Sequence, residues 1–124
     1  MPLVIFVDDS ETALASTKMV TNSMPIEVKQ YTQARVALAE IKAGIKPDLI
    51  ITDLNMPVMN GFEFLQALRE VSSTKRTPCL MLTTETKAEL KQQGKALGLT
   101  GWIVKPFNSA QLKQAITRVL RLPA

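Results

Sequence analysis

Three of the four aspartates in the chain follow or close apolar runs: Asp8 and Asp9 come directly after Leu3–Val7, and Asp53 closes Asp48–Thr52. Thr83 and Thr84 follow Cys79–Leu82, and Lys105 follows Gly101–Val104. Carboxylates gathered from separate segments repel one another and raise each other's pKa unless a cation intervenes. Hard oxygen donors suit Mg²⁺, which keeps several waters and takes phosphate oxygens readily as further ligands. Lys105 would add a movable ammonium that binds an anion, and Thr83 a hydroxyl donor. Such a set is equipped for phosphoryl transfer, which needs charge stabilisation and an in-line nucleophile more than covalent machinery. Asp53 is the candidate nucleophile. Aspartate is an established acceptor in aspartyl-phosphate chemistry, the chain has no histidine, and its one cysteine, Cys79, lies in an apolar stretch.

For these residues to meet, the chain must bring four segments to one place. Five short apolar runs read as strands: Leu3–Val7, Ile26–Gln30, Asp48–Thr52, Cys79–Leu82 and Gly101–Val104. The first, third, fourth and fifth are rich in Val, Ile and Leu, which predicts strands covered on both faces; the alternating second predicts an edge. Helical spacing lies between them, at Ala34, Ala37, Leu38 and Ile41, at Phe64, Leu65, Leu68 and Val71, and at Leu112, Ala115, Ile116, Val119 and Leu120 behind an Asn108–Ser109 start signal. A first helix is expected from about Ser10 to Thr21, capped by Asp9 or Ser10. Another, near Lys87 to Leu97, has only Leu90, Gly94 and Leu97 in register. Strand then helix, five times over, predicts an α/β fold: a parallel sheet with right-handed crossovers in a doubly wound three-layer sandwich. In such a sheet the carboxyl ends of the strands share one edge, where open α/β folds place their ligand crevice.

Composition sets the outer limits. A chain of 124 residues suits one domain, 1–124, and 46% hydrophobic with 21% charged residues suits an ordinary folded protein. The longest early apolar run is Leu3–Val7 and ends in two aspartates, so neither a signal segment nor a membrane span is expected and the cytoplasm is the expected location. A lone cysteine excludes an internal disulfide, and the absence of histidine excludes zinc-histidine sites and histidine bases. The net charge of +4 does not argue for nucleic acid. Its distribution is uneven: from Met1 to Leu82 the balance is −1, and from Thr83 to Ala124 it is +5. That predicts a basic surface near the C-terminal end.

Asp8-Asp9, Asp53-Leu54-Asn55-Met56-Pro57 followed by Gly61, Thr83-Thr84, and Lys105-Pro106-Phe107 together resemble the receiver domain of bacterial response regulators, over the whole chain. With no output domain in view, the likeness is to the single-domain, chemotaxis-type (CheY-like) regulator of two-component signal transduction, a phosphoprotein with a flavodoxin-like sheet in the order 2-1-3-4-5. The resemblance implies that Asp53 takes a phosphoryl group from the phosphohistidine of a sensor histidine kinase. Asp8, Asp9, Asp53 and the main-chain carbonyl of Asn55 would hold Mg²⁺, with Lys105 and Thr83 on the phosphoryl oxygens. It also implies a cis Lys105–Pro106 peptide, and Asn55 and Glu85 as residues that tune dephosphorylation. Two positions depart from the commonest pattern: Thr84 stands where Ala or Gly is frequent, and Trp102 where Tyr or Phe usually swings inward. Such a domain is a signalling module rather than an enzyme, catalysing only its own phosphorylation and dephosphorylation. Phosphorylation would repack the face made by the fourth helix, fifth strand and fifth helix. Lys87, Lys91 and Lys95, spaced four apart, make that face basic and suggest an acidic or amphipathic helix from a downstream protein target, a flagellar motor switch being one candidate. A monomer is expected.

Plainer readings stand beside these. Asp8 and Asp9 could cap a helix, Asp53 could open a turn, Thr83 and Thr84 could be strand-end hydroxyls, and the lysines a solvated face. Trp102 read alone suggests surface packing, and Phe62, Phe64 and the methionines suggest filler. Rival functions are an Asp-nucleophile phosphatase, which wants a second aspartate where Asn55 stands, a flavin carrier, whose phosphate Asp8 and Asp9 would repel, and a pseudo-receiver that is never phosphorylated.

Overall fold

The computed structural model describes residues 1–123. Strands and helices alternate: β1 Leu3–Val7, α1 Glu11–Thr21, β2 Glu27–Tyr31, α2 Ala34–Lys42, β3 Leu49–Thr52, α3 Gly61–Glu70, β4 Cys79–Thr83, α4 Ala88–Ala96, β5 Gly101–Val104 and α5 Ser109–Leu120, with a short 3-10 turn at Ser72–Thr74. The five strands form one parallel sheet in the order β2-β1-β3-β4-β5, the flavodoxin-like arrangement expected. Register aligns the strand ends: Val7 pairs with Tyr31 and Thr52, and Thr83 with Val104. The ladder continues one residue further, with Asp8 N donating to Tyr31 O (3.1 Å), Asp53 N to Val7 O (2.9 Å) and Lys105 N to Thr83 O (2.8 Å). Asp8, Asp53 and Lys105 therefore leave the sheet side by side on one edge.

Alternation along the strands feeds two cores. Ile5, Val7, Ile50 and Cys79 meet the apolar stripes of α2 and α3, including Ile41, Phe64, Leu65 and Leu68. Val4, Phe6, Ile51, Leu80 and Leu82 face the other way and meet Leu14 of α1 with Leu112 and Ile116 of α5. A smaller third cluster, Leu54, Phe62 and Met81 with Leu90 and Trp102 against it, lies under α4.

Three local readings change. Gly101–Val104 is an edge strand with only Ile103 buried, not a strand covered on both faces; apolar content there reflects packing on α4 and α5 rather than a central place. Asp48 lies outside β3 because its carboxylate accepts the Leu3 N–H at 2.7 Å, closing the start of β1. The second strand begins one residue later than predicted. The faint helical period near Lys87 has a physical counterpart: α4 buries only Gly94, and its N-cap, Lys87, makes no side-chain cap. A Cβ on Gly94 would stand 2.9 Å from Leu99 Cδ2 and 3.3 Å from Phe62 Cε1, so the missing side chain is what lets α4 approach the sheet.

Candidate phosphoacceptor site

The βα turns deliver the polar residues. Ser10 caps α1, its hydroxyl accepting from Ala13 N at 3.2 Å, as one of the two expected caps. Asp8 instead turns into the site: one oxygen accepts the Ser10 N–H at 2.9 Å, and the other accepts from Lys105 Nζ at 2.5 Å. Lys105 Nζ also reaches Asp53 Oδ2 at 3.3 Å, while Leu54 N holds Asp53 Oδ1 at 2.7 Å. The ammonium thus bridges carboxylates from β1 and β3. These are the only ion pairs among the described residues. Asp8, Asp9 and Asp53 each place one carboxylate oxygen within 4.8 Å of the others. Three carboxylates against one ammonium leave two negative charges unbalanced, and all the donors are hard oxygens, so the set fits a divalent ion such as Mg²⁺.

Electrostatics follow from burial and proximity. Burial pushes the Asp8 carboxyl above its ordinary 3.8, and Asp53 beside it adds to the rise, against the lowering by Lys105 and the Ser10 N–H. Burial pulls Lys105 down, but hydrogen bonding to Asp8 and the charges of Asp53 and Asp8 prevail, holding it above 10.5 and cationic at neutral pH. A carboxyl with a raised native pKa contributes its full stability below the unfolded value and loses it as pH rises through the native value. Asp8→Asn is therefore expected to raise the melting temperature of metal-free protein at neutral pH. The gain should vanish on acidification below about 3.8, as read by thermal scans across pH.

The remaining predicted residues divide. Thr83 is fully buried at the end of β4, its Oγ1 accepting weakly from Glu85 N at 3.4 Å; Thr84 is exposed. Asn55 Nδ2 donates to Glu85 Oε2 at 2.7 Å, joining the loops after β3 and β4. Sequence reading paired Asn55 and Glu85 in role but not in contact, since the two are 30 residues apart. Trp102 is half-buried at the surface: its ring packs 6.4 Å from Phe62, its Nε1–H donates to the Glu85 carbonyl at 2.9 Å, and it borders the seam between α4 and β5. The Lys105–Pro106 peptide is cis. Lys87, Lys91 and Lys95 are exposed and stand apart from the pocket.

The loop from Asp53 to α3 holds features that sequence reading missed. Asn60 and Glu63 form a reciprocal capping box, each side chain accepting the other's N–H at 2.9 Å, a pattern legible as Asn-x-x-Glu. Val58 sits at φ 71°, a left-handed conformation costly for a β-branched residue, and is 76% exposed. Val58→Asn is expected to stabilise the chain by about 1 kcal/mol, because Asn tolerates this region and no packing is lost. Denaturant midpoints will show it.

Residues 4–117 match the response regulator receiver domain. The chain belongs to that family. Receivers are signalling domains, and the relatives extend the likeness to chemotaxis proteins. Chemotaxis protein CheY-3 of Vibrio cholerae is 32% identical over 94% of this chain and 89% of its own. Chemotaxis protein CheY1 of Helicobacter pylori is 35% identical over 94% of this chain and 95% of its own. The crystal structure of Vibrio cholerae CheY4 superposes with a TM-score of 0.90 at 48% identity, covering 97% of this receiver and 99% of that chain. A receiver domain from a Pseudomonas aeruginosa sensor histidine kinase, solved with a magnesium ion in its active-site cleft, shares the fold with a TM-score of 0.87 at 19% identity, covering 97% of this chain and 98% of its own. No helix here is long and apolar enough to cross a membrane among the described residues.

Proposed function

We propose that Asp53 accepts a phosphoryl group from the phosphohistidine of a sensor kinase, and that the resulting charge switches the face made by α4, β5 and α5 for a downstream partner in chemotaxis or motility control. The observation that carries this reading is Lys105 Nζ bridging Asp8 and Asp53 beside the three-carboxylate cluster. In the transfer, a carboxylate oxygen of Asp53 attacks phosphorus as the P–N bond breaks, and the imidazole leaves with its electron pair. Asp8, Asp9 and Asp53 would hold Mg²⁺, with the main-chain carbonyl of Asn55. When bound, that ion neutralises charge developing on the phosphoryl oxygens. Lys105, already on Asp53, shifts to a phosphoryl oxygen, and the Thr83 hydroxyl at the end of β4 donates to another. Asn55 and Glu85, hydrogen-bonded across the two loops, border the path of a hydrolytic water and so set the lifetime of the phosphoryl aspartate.

Thr83 bonds the Glu85 N–H, and the Glu85 carbonyl holds Trp102, so movement of Thr83 is felt at the α4–β5 face. Lys87, Lys91 and Lys95 give that face the charge to attract an acidic partner. Trp102 is the only tryptophan, which makes the test direct. Its fluorescence should change on titration with Mg²⁺ and change again on adding beryllofluoride, and the second response should be absent in Asp53→Asn. A beryllofluoride response that survives the substitution would place the acceptor elsewhere.

A further inference from the structure

Thr100, at the turn into β5, lines three adjoining hollows. One, of about 520 Å³, lies toward α5 with Arg118 at its rim. A second, of about 200 Å³, follows the seam between α4 and β5 beside Lys91, Lys95 and Trp102. The third, again about 520 Å³, is bounded by Arg69, Lys75 and Arg76. That last hollow adjoins the start of β4, at the end of the sheet opposite Asp53 and about 15 Å away along a five-residue strand.

Six cations line this trough and, among the described residues, no carboxylate does, although the chain has 11 acidic residues. None of the six is ion-paired among the described residues, where Lys105 alone is. Arg69 is fixed in place, donating through Nη1 to Thr74 O (3.0 Å) and Thr77 O (2.7 Å) and through Nη2 to Gly98 O (3.1 Å). Its Nε–H and second Nη2–H are left over from those bonds. Lys75 and Arg76 are exposed beside it. Like charges four apart on α4 destabilise the helix unless an anion compensates them. The floor is apolar in the first two hollows, with Leu80, Ile103 and Val119 in one and Leu99 in the other, and mixed in the third, where Leu97 and Pro78 lie beside Thr77 and Thr100.

We propose that this trough seats a segment of a partner protein in which acidic and apolar residues alternate, and that its far end, Arg69, Lys75 and Arg76, holds the segment whether or not Asp53 carries a phosphoryl group. A concave apolar floor favours a peptide over nucleic acid. A duplex takes a protruding helix or ribbon, and a single strand takes a series of aromatic platforms, whereas the trough offers one indole whose N–H is already given to Glu85. The far end goes beyond the phosphoryl reading; only the phosphorylation dependence of the Lys91 and Lys95 end rests on it.

The test is fluorescence anisotropy of the full chain with a labelled peptide of repeating Glu-Leu-Glu-Ala units, and with oligothymidylate of equal length. Lys75→Gln/Arg76→Gln should weaken peptide binding about tenfold, by the same factor with and without Mg²⁺ and beryllofluoride. Lys18→Gln/Lys42→Gln, removing equal charge from α1 and α2, should change it less than about twofold. Lys91→Gln/Lys95→Gln should weaken only the beryllofluoride form. If it does not while the first pair still weakens binding, the switch reading fails and the far end stands. No peptide binding to the unaltered chain would overturn the proposal. So would equal loss in the Lys18/Lys42 control, tighter binding of oligothymidylate, or a Lys75/Arg76 effect that depends on beryllofluoride.

Discussion

Asp53→Asn is expected to take up no acid-labile phosphate from phosphoramidate and Mg²⁺, while the unaltered receiver takes up one equivalent per chain. The substitution keeps the shape of the side chain and an oxygen that can accept from Leu54 N, which holds Asp53 at 2.7 Å. On the proposed reading it removes the nucleophile: an amide oxygen does not displace a phosphoramide nitrogen. The fold should persist, since losing one carboxylate relieves repulsion in a cluster with more negative than positive charge. Far-ultraviolet circular dichroism and ³²P incorporation, measured on the same sample, separate loss of chemistry from loss of structure. Lys105→Gln gives the graded comparison. Asp53 stays nucleophilic, but the transition state loses its ammonium, and uptake should slow by about 10²–10³. Repeated turnover of phosphate esters by the unaltered chain would favour the phosphatase reading instead.

Gly61→Ala is expected to cost about 3 kcal/mol, lowering the melting temperature by roughly 10 °C. An added Cβ would lie 2.4 Å from the carbonyl oxygen of Asp53, 2.9 Å from Leu54 Cα and 3.0 Å from Met81 Sδ. Two of those three are backbone atoms, so no rotamer change relieves the clash. Gly61 N also donates to Leu54 O at 2.8 Å, closing the loop that begins at Asp53. Relief must therefore come from moving the loop, and with it Asp53. Differential scanning calorimetry should show the loss of stability, and isothermal titration should show weakened Mg²⁺ binding in the folded fraction.

Asp8, Asp53 and Lys105 were legible because each ends an apolar run, and a parallel sheet sends all such ends to one edge. The edge place of β5 was not, because Gly101–Val104 is as apolar as a central strand and only the neighbours of a strand decide how it is covered. Gly61 could be read as a turn residue, but the crowding that demands it arises between segments folded against each other. The bond from Asn55 to Glu85 and the seat of Trp102 likewise depend on how two loops lie across a gap, which no periodicity encodes. The capping box at Asn60 and Glu63 was a local pattern and could have been found.

The backbone amides of Asp8, Asp53 and Lys105 are each bonded to the adjacent strand, whereas α4 fully buries only one glycine and has no side-chain cap. The pocket is thus mounted on hydrogen-bonded strand ends and lies near a helix with little buried surface. On the proposed reading, a load applied at Asp53 would have little freedom to relax within the sheet and would be passed to α4, whose buried contacts are few. Mechanical contrast between neighbours, more than any long chain of contacts, is what would let so small a chemical mark be felt on the outside of the protein.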